Sequence, residues 1–167
     1  PYSRILDPGD KNTELLFGDA ATVTLLTNDP VLAIGRGSFH TDGGMHQALI
    51  KRENKPLVMD GRAIFNFVLR TVPGLISSCL EANGLTMEEV DVFLLHQASR
   101  YVLDNLVKRM RLPRDKVPME LEATGNTVSS SIPLLLENRI SAPGPATCIL
   151  SGFGVGLSAA SLCLRRC

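Results

Sequence analysis

The sequence predicts a layered α/β domain, αβα, around a mainly parallel mixed sheet, on three observations. Apolar runs of strand length alternate with runs of helical period along the chain. One run, Val92-Phe93-Leu94-Leu95 after Asp91, is continuously apolar, as in a strand buried on both faces. The 167 residues suit a single domain, 1–167, large enough to bury a core.

Each element follows from a local cue. Ala21 to Thr27 (ATVTLLT) is β-branched and follows the turn formers Gly18-Asp19, so it reads as a strand. A second strand is expected over Val31 to Phe39. Residues 40–58 read as a polar connection punctuated by Gly43-Gly44 and Pro56. Asp60 is placed to cap a helix that reaches Asn83 and stops at Gly84, with Pro73 kinking or splitting it. Thr86 and Glu89 have capping-box spacing for one short turn. After strand 91–95, a helix is expected from about Ala98 to Arg111, closed by Pro113. A short strand at Val117–Leu121, a helix over 129–139 and two strands at 146–151 and 156–164 complete the order. Pro133 falls near the first turn of its helix, where it is tolerated.

Charge and composition narrow the function. Seventeen Lys+Arg balance seventeen Asp+Glu, so no net field recruits nucleic acid or an anionic membrane. Hydrophobic content of 44% beside 20% charge is high for a small domain and implies a face covered by another unit. The charge-free stretch from Cys148 to Leu164 is short for a membrane span and broken by glycine and serine, which suits two buried strands better. The opening Pro1-Tyr2-Ser3-Arg4, with neither an initiator Met nor a basic leader, points to a fragment or a processed product. Cys79, Cys148, Cys163 and Cys167 form no CxxC pair and read as reduced thiols of a cytoplasmic protein.

The chemistry gathers at two strand ends. In parallel α/β sheets, sites form beyond the carboxyl ends of strands. His96 and Asn126 each lie just past an expected strand. A neutral imidazole offers one N–H and a carboxamide two, so together they can form an oxyanion hole for an enolate or a tetrahedral intermediate. Spacing alone is equally consistent with a hydrogen-bonded core histidine and a turn asparagine. No metal is expected, since no third ligand lies near the pair and His40, Asp42 and His46 fall in a polar loop. Gly152-Phe153-Gly154-Val155-Gly156 precedes a strand rather than a helix, which excludes a dinucleotide fingerprint. No cysteine sits where a reactive thiolate would, and no serine sits in a GxSxG elbow. Lys108, Arg109, Arg111, Arg114 and Lys116 form a basic cluster, either solvated surface or a docking site for an acidic partner.

Five motifs in register carry a resemblance. Gly18-Asp19-Ala20-Ala21, Met59-Asp60-Gly61-Arg62, His96-Gln97-Ala98, Gly125-Asn126-Thr127 and Gly152 to Leu157 are spaced as in the β-ketoacyl-acyl-carrier-protein synthase III family of the thiolase superfamily. The chain resembles its C-terminal half from about Ser3 to Arg165. The resemblance implies a thiolase-like half, a homodimer, and an N-terminal half whose cysteine takes an acyl group from acyl-CoA. Malonyl-acyl-carrier protein would then decarboxylate, with His96 and Asn126 stabilising the enolate. It further implies that Phe153 lies beside the cysteine, that the backbone at Val155 completes the acyl oxyanion hole, and that Met59, Gly61, Phe65 and Ala98 line a pantetheine channel. Gln97, Arg100, Lys108 and Arg109 would face the carrier protein. No cofactor is implied beyond coenzyme A thioesters as substrates. The chain departs from the family pattern at Ser99 (usually Asn), at Tyr101 (usually basic), at Arg62 (more often Asn) and in a shorter 40–58 connection. These departures leave open a specialised secondary-metabolite acyltransferase, and the missing cysteine leaves open a non-catalytic carrier-protein-binding module.

Overall fold

The computed structural model describes residues 1–141 and 144–167. A four-stranded sheet in the order β1-β6-β5-β4 is its frame, with β1 at Leu32–Thr41, β4 at Val92–Leu95, β5 at Thr147–Gly154 and β6 at Ser158–Arg166. A short hairpin of β2 (Leu49–Lys51) and β3 (Leu57–Met59) stands apart from it. The sheet is mixed, as expected, but its parallel character is confined to β4–β5. The β5–β6 and β1–β6 pairs are antiparallel, the former because the Gly154-to-Ser158 connection is too short for anything but a hairpin.

After a single N-terminal turn, α1 (Lys11–Glu14), the long α2 (Gly61–Ala82) covers one face of the sheet and α5 (Ser131–Ile140) the other. The α2 helix starts where Asp60 Oδ1 accepts the Ala63 amide at 2.9 Å. Phe67, Val68, Val72, Leu75, Ile76 and Cys79 recur at helical spacing and are buried against the sheet. Pro73 neither splits nor ends the helix, although it leaves the Leu69 carbonyl without its usual amide. By length and composition α2 could cross a membrane, but its apolar face is spent on the core.

The end of α2 also shapes the sheet edge. Gly84, at φ 62°, closes the helix, and the Leu85 amide returns to the Leu80 carbonyl at 3.0 Å. The Asn83 side chain receives the Arg36 amide at 2.9 Å and donates to the Arg36 carbonyl at 2.8 Å. This clamp sits where the β1–β6 register shifts, between Ile34 and Gly37.

Several sequence expectations change. Ala21 to Thr27 is not a strand; Val23, Leu25 and Leu26 are 97%, 84% and 75% exposed. Its β-branched residues have the propensity, but among the described residues no neighbouring strand offers a ladder, and propensity alone makes no strand. Among the described residues the tract is tied to the rest of the fold at Thr22, which donates to Ser130 Oγ at 3.3 Å, next to Ala20, whose carbonyl accepts from Ser130. Val117 to Leu121 is likewise no strand. Pro118 has no amide to donate, and a single helical turn, α4 at Leu121–Thr124, begins instead. The 40–58 connection carries a 3₁₀ segment, Gly43–Ala48, and the β2–β3 hairpin, with Leu49 and Leu57 buried. Thr86 donates twice to Glu89 Oε2, through its amide at 2.7 Å and its hydroxyl at 3.0 Å, but only half of the box forms, and it caps a turn rather than a helix.

Leu94 is fully buried in the cluster on the α5 side, with Leu135, Cys148 and Leu164. Leu94→Ala should cost roughly 2–5 kcal/mol of stability. A denaturant midpoint unchanged from wild type would contradict this assignment of the second core.

Candidate active site

The carboxyl ends of β4 and β5 open into one large cavity, about 810 Å³, lined mostly by apolar groups. His96 enters it directly from β4, which ends at Leu95. The parallel ladder continues one bond further, His96 amide to Ser151 carbonyl at 2.9 Å, so the imidazole is carried on rigid backbone. Its ring meets the edge of Phe153 at 5.1 Å between centroids. Nδ1 lies 2.7 Å from Ser131 Oγ. Burial pushes the imidazole pKa down to about 4, opposed by a hydrogen bond to the Val128 backbone, so His96 is neutral near pH 7.

Asn126 reaches the same cavity from a different kind of element. Gly125, at φ 63°, turns the chain out of α4, and a side chain there would crowd the Leu16 carbonyl. The Asn126 amide donates to the Leu16 carbonyl at 2.9 Å, and its own carbonyl accepts from Gly18 at 3.0 Å. Gly18 is obligatory, because a Cβ there would stand 1.9 Å from the Thr124 carbonyl oxygen. Within the side chain, Oδ1 accepts the Val128 amide at 2.9 Å. That bond orients the carboxamide and leaves its Nδ2 donors without a partner among the described residues. Asn126 and His96 therefore line one cavity, although 30 positions separate them.

Met59, Gly61, Phe65, Ala98, Phe153 and Val155 all line this cavity as well. Phe65 stacks on Tyr101 at 5.0 Å, which gives the unexpected aromatic at 101 a packing role. Ser99 accepts the Val102 amide at 3.2 Å and caps α3 (Arg100–Met110), a job its hydroxyl suits. Arg62 lies at the lining as a charged group. The three cysteine thiols with resolved shifts are buried and pushed upward by that burial, Cys148 to about 11. Among the described residues no cysteine lines the cavity.

One expectation at the surface is corrected. Gln97 does not face outward; it is 3% exposed. Its Nε2 donates to the Leu95 carbonyl at 2.8 Å and its Oε1 accepts the Glu120 amide at 3.0 Å. Adjacent residues leaving a strand point oppositely, so with His96 in the cavity Gln97 must turn into the protein. Arg100, Lys108 and Arg109 are exposed along α3, and Arg100 pairs with Glu122. In the 40–58 loop, Asp42 pairs with Arg70 at 3.0 Å, and His46 Nδ1 lies 2.9 Å from the Gly43 carbonyl. Sequence reasoning missed Ser131, although a serine opening a helix five positions after Asn126 was a usable cue. It also missed Leu16 and Phe17, which line the cavity from a part of the chain with no periodic pattern.

The chain is similar in sequence and in fold to known proteins. Residues 80–166 match the family described as 3-Oxoacyl-[acyl-carrier-protein (ACP)] synthase III C terminal. A β-ketoacyl-[acyl-carrier-protein] synthase III of Streptococcus equi subsp. zooepidemicus is 37% identical over 181 residues, covering 98% of this chain and 56% of the relative. A crystal structure of a 3-oxoacyl-(acyl-carrier-protein) synthase III superposes with a TM-score of 0.83 at 34% identity, over 99% of this chain and 58% of that one. The priming β-ketosynthase of the R1128 polyketide biosynthetic pathway superposes with a TM-score of 0.83 at 29% identity, over 99% of this chain and 54% of that one. The chain spans about half the length of the curated relatives it matches. With its thiolase-like αβα layering, this chain belongs to the 3-oxoacyl-[acyl-carrier-protein] synthase III family, whose C-terminal half it represents.

Proposed function

We propose that residues 1–167 form the C-terminal domain of a condensing acyltransferase of fatty-acid biosynthesis and supply its enolate-stabilising donors. The observation that carries this reading is the convergence of a neutral imidazole and an oriented carboxamide on one apolar cavity that no cysteine lines among the described residues. In this reading an acyl-CoA starter acylates a cysteine of an N-terminal half, and malonyl-acyl-carrier protein enters next. The bond from the malonyl α-carbon to its carboxylate breaks. Its electron pair moves into the enolate, and CO₂ leaves. The charge on the thioester oxygen is met by N–H groups of His96 and Asn126, where an apolar, partly closed site makes each donor worth more than in water. The enolate carbon then attacks the acyl-cysteine carbonyl, and the thiolate departs.

The other groups follow from their positions. Phe153 packs on the imidazole and limits water beside the reacting carbons. The Val155 backbone would hold the acyl carbonyl oxygen. Met59, Gly61, Phe65 and Ala98 would guide a pantetheine arm, and Arg100, Lys108 and Arg109 would meet the acidic carrier protein. We take the working enzyme to be a cytoplasmic homodimer that needs coenzyme A thioesters as substrates and no bound cofactor. A second reading, a specialised acyltransferase of secondary metabolism, draws on the Phe65–Tyr101 stack within the lining and on the similarity to a polyketide priming synthase.

The chain can be tested fused behind the N-terminal half of the Streptococcus equi relative, by CO₂ release from malonyl-carrier protein. His96→Ala and Asn126→Ala should each lower kcat on the order of 10²–10³-fold while acylation of the N-terminal cysteine persists. Full decarboxylation by His96→Ala would sink the proposal. Condensation with an acceptor other than malonyl-carrier protein would favour the second reading.

The half-buried, neutral imidazole also makes folding pH-dependent. The unfolded chain takes up a proton near the ordinary histidine value of 6.5, while the native state resists until about 4. Stability should therefore be full above about 6.5 and decline as pH falls toward about 4. His96→Gln should lose less stability than wild type between pH 7 and 4.5, as read from urea midpoints; equal losses would mean that His96 titrates normally.

A further inference from the structure

Behind the imidazole of His96 stands Ser131, the first residue of α5 and 3% exposed. Its hydroxyl has three neighbours: His96 Nδ1 at 2.7 Å, the Val128 carbonyl oxygen at 2.9 Å and the Gln97 amide at 3.3 Å. A hydroxyl owns one proton and two lone-pair sites. The Gln97 amide can only donate and so takes a lone pair. The Val128 carbonyl can only accept. His96 Nδ1 does either, according to tautomer.

The single hydroxyl proton has two destinations, and they exclude each other. Given to Val128, it leaves a lone pair for an Nδ1–H, and His96 then presents a bare Nε2. Given to Nδ1, it requires the imidazole proton on Nε2, and His96 then presents an N–H donor. The Val128 carbonyl is a fixed competitor. Val128 lies at φ 55°, a left-handed conformation costly for a β-branched residue, and its amide is held by Asn126 Oδ1 at 2.9 Å. The proposed second oxyanion donor thus also anchors the group that competes for the Ser131 proton.

We infer that Ser131 is the positioning residue that sets the His96 tautomer, its hydroxyl turning from the Val128 carbonyl to Nδ1 when a thioester oxygen occupies the cavity. The inference rests on the proposed function, in which Nε2 faces that oxygen. No net charge moves. The hydroxyl proton rotates about the Cβ–Oγ bond, and the imidazole exchanges its Nδ1 proton for one on Nε2 through water. Without the hydroxyl, Nδ1 keeps its proton against the Val128 carbonyl and Nε2 stays an acceptor.

The test is histidine-selective ¹⁵N NMR on the fused protein, with the sulfoacetyl thioester of pantetheine as a probe that cannot lose CO₂. His40 and His46 report whether each variant is folded. In wild type and Ser131→Thr the probe should bring the proton onto His96 Nε2. In Ser131→Ala it should remain on Nδ1, and kcat for CO₂ release should fall about 10²-fold with KM little changed, as for loss of one oxyanion donor. A folded Ser131→Ala protein with Nε2 protonated as in wild type overturns the inference, even if His96→Ala abolishes decarboxylation. Should His96→Ala decarboxylate normally, the functional proposal fails, and the Ser131→Ala spectrum still decides the role of the hydroxyl.

Discussion

The parallel ladder between β4 and β5 is the constraint on which the rest of the molecule depends. Val92 to Leu95 are buried on both faces, with α2 behind and α5 in front, so this pair can neither slide nor twist without opening both cores. Asp91 sets where the ladder begins. Its carboxylate accepts the amides of Ala146 and Thr147, both at 2.8 Å, and locks β5 in register with β4. Register at one end determines which residue emerges at the other. His96 leaves the sheet beside Ser151 for this reason, with Phe153 two residues further along β5 against its ring.

Asn126 is held by a different principle. No sheet carries it; two glycines allow backbones to approach so closely that residues 16–18 and 124–126 exchange hydrogen bonds. The cavity thus joins one wall of rigid ladder to another built from tight loop contact. Such a loop tolerates less change than its lack of regular structure suggests, because any Cβ at Gly18 collides with backbone rather than with a movable side chain.

The elements legible in the sequence were those whose cues are local. Asp60 and Gly84 bracket α2 by chemistry that acts within one turn, and the unbroken apolar run of β4 reports its own two-sided burial. His96 and Asn126 were legible from their places past expected strand ends and Met59, Phe65 and Phe153 only through the family resemblance, and all five line one cavity. What local cues could not convey was pairing. The tract at 21–27 has strand composition but no ladder, and Gln97 turns inward because its neighbour turns out. Each of those outcomes depends on a partner distant in sequence. Ser131 belongs with them, since its importance arises only once α5 has packed behind β4.

The exposed tract at 21–27 has a further consequence for the molecule as a physical object. Val23, Leu25 and Leu26 hold apolar surface open along it. Apolar side chains exposed beside strand-forming residues suit a face that another unit covers, so the tract is where a sheet edge from a neighbouring unit would complete the fold.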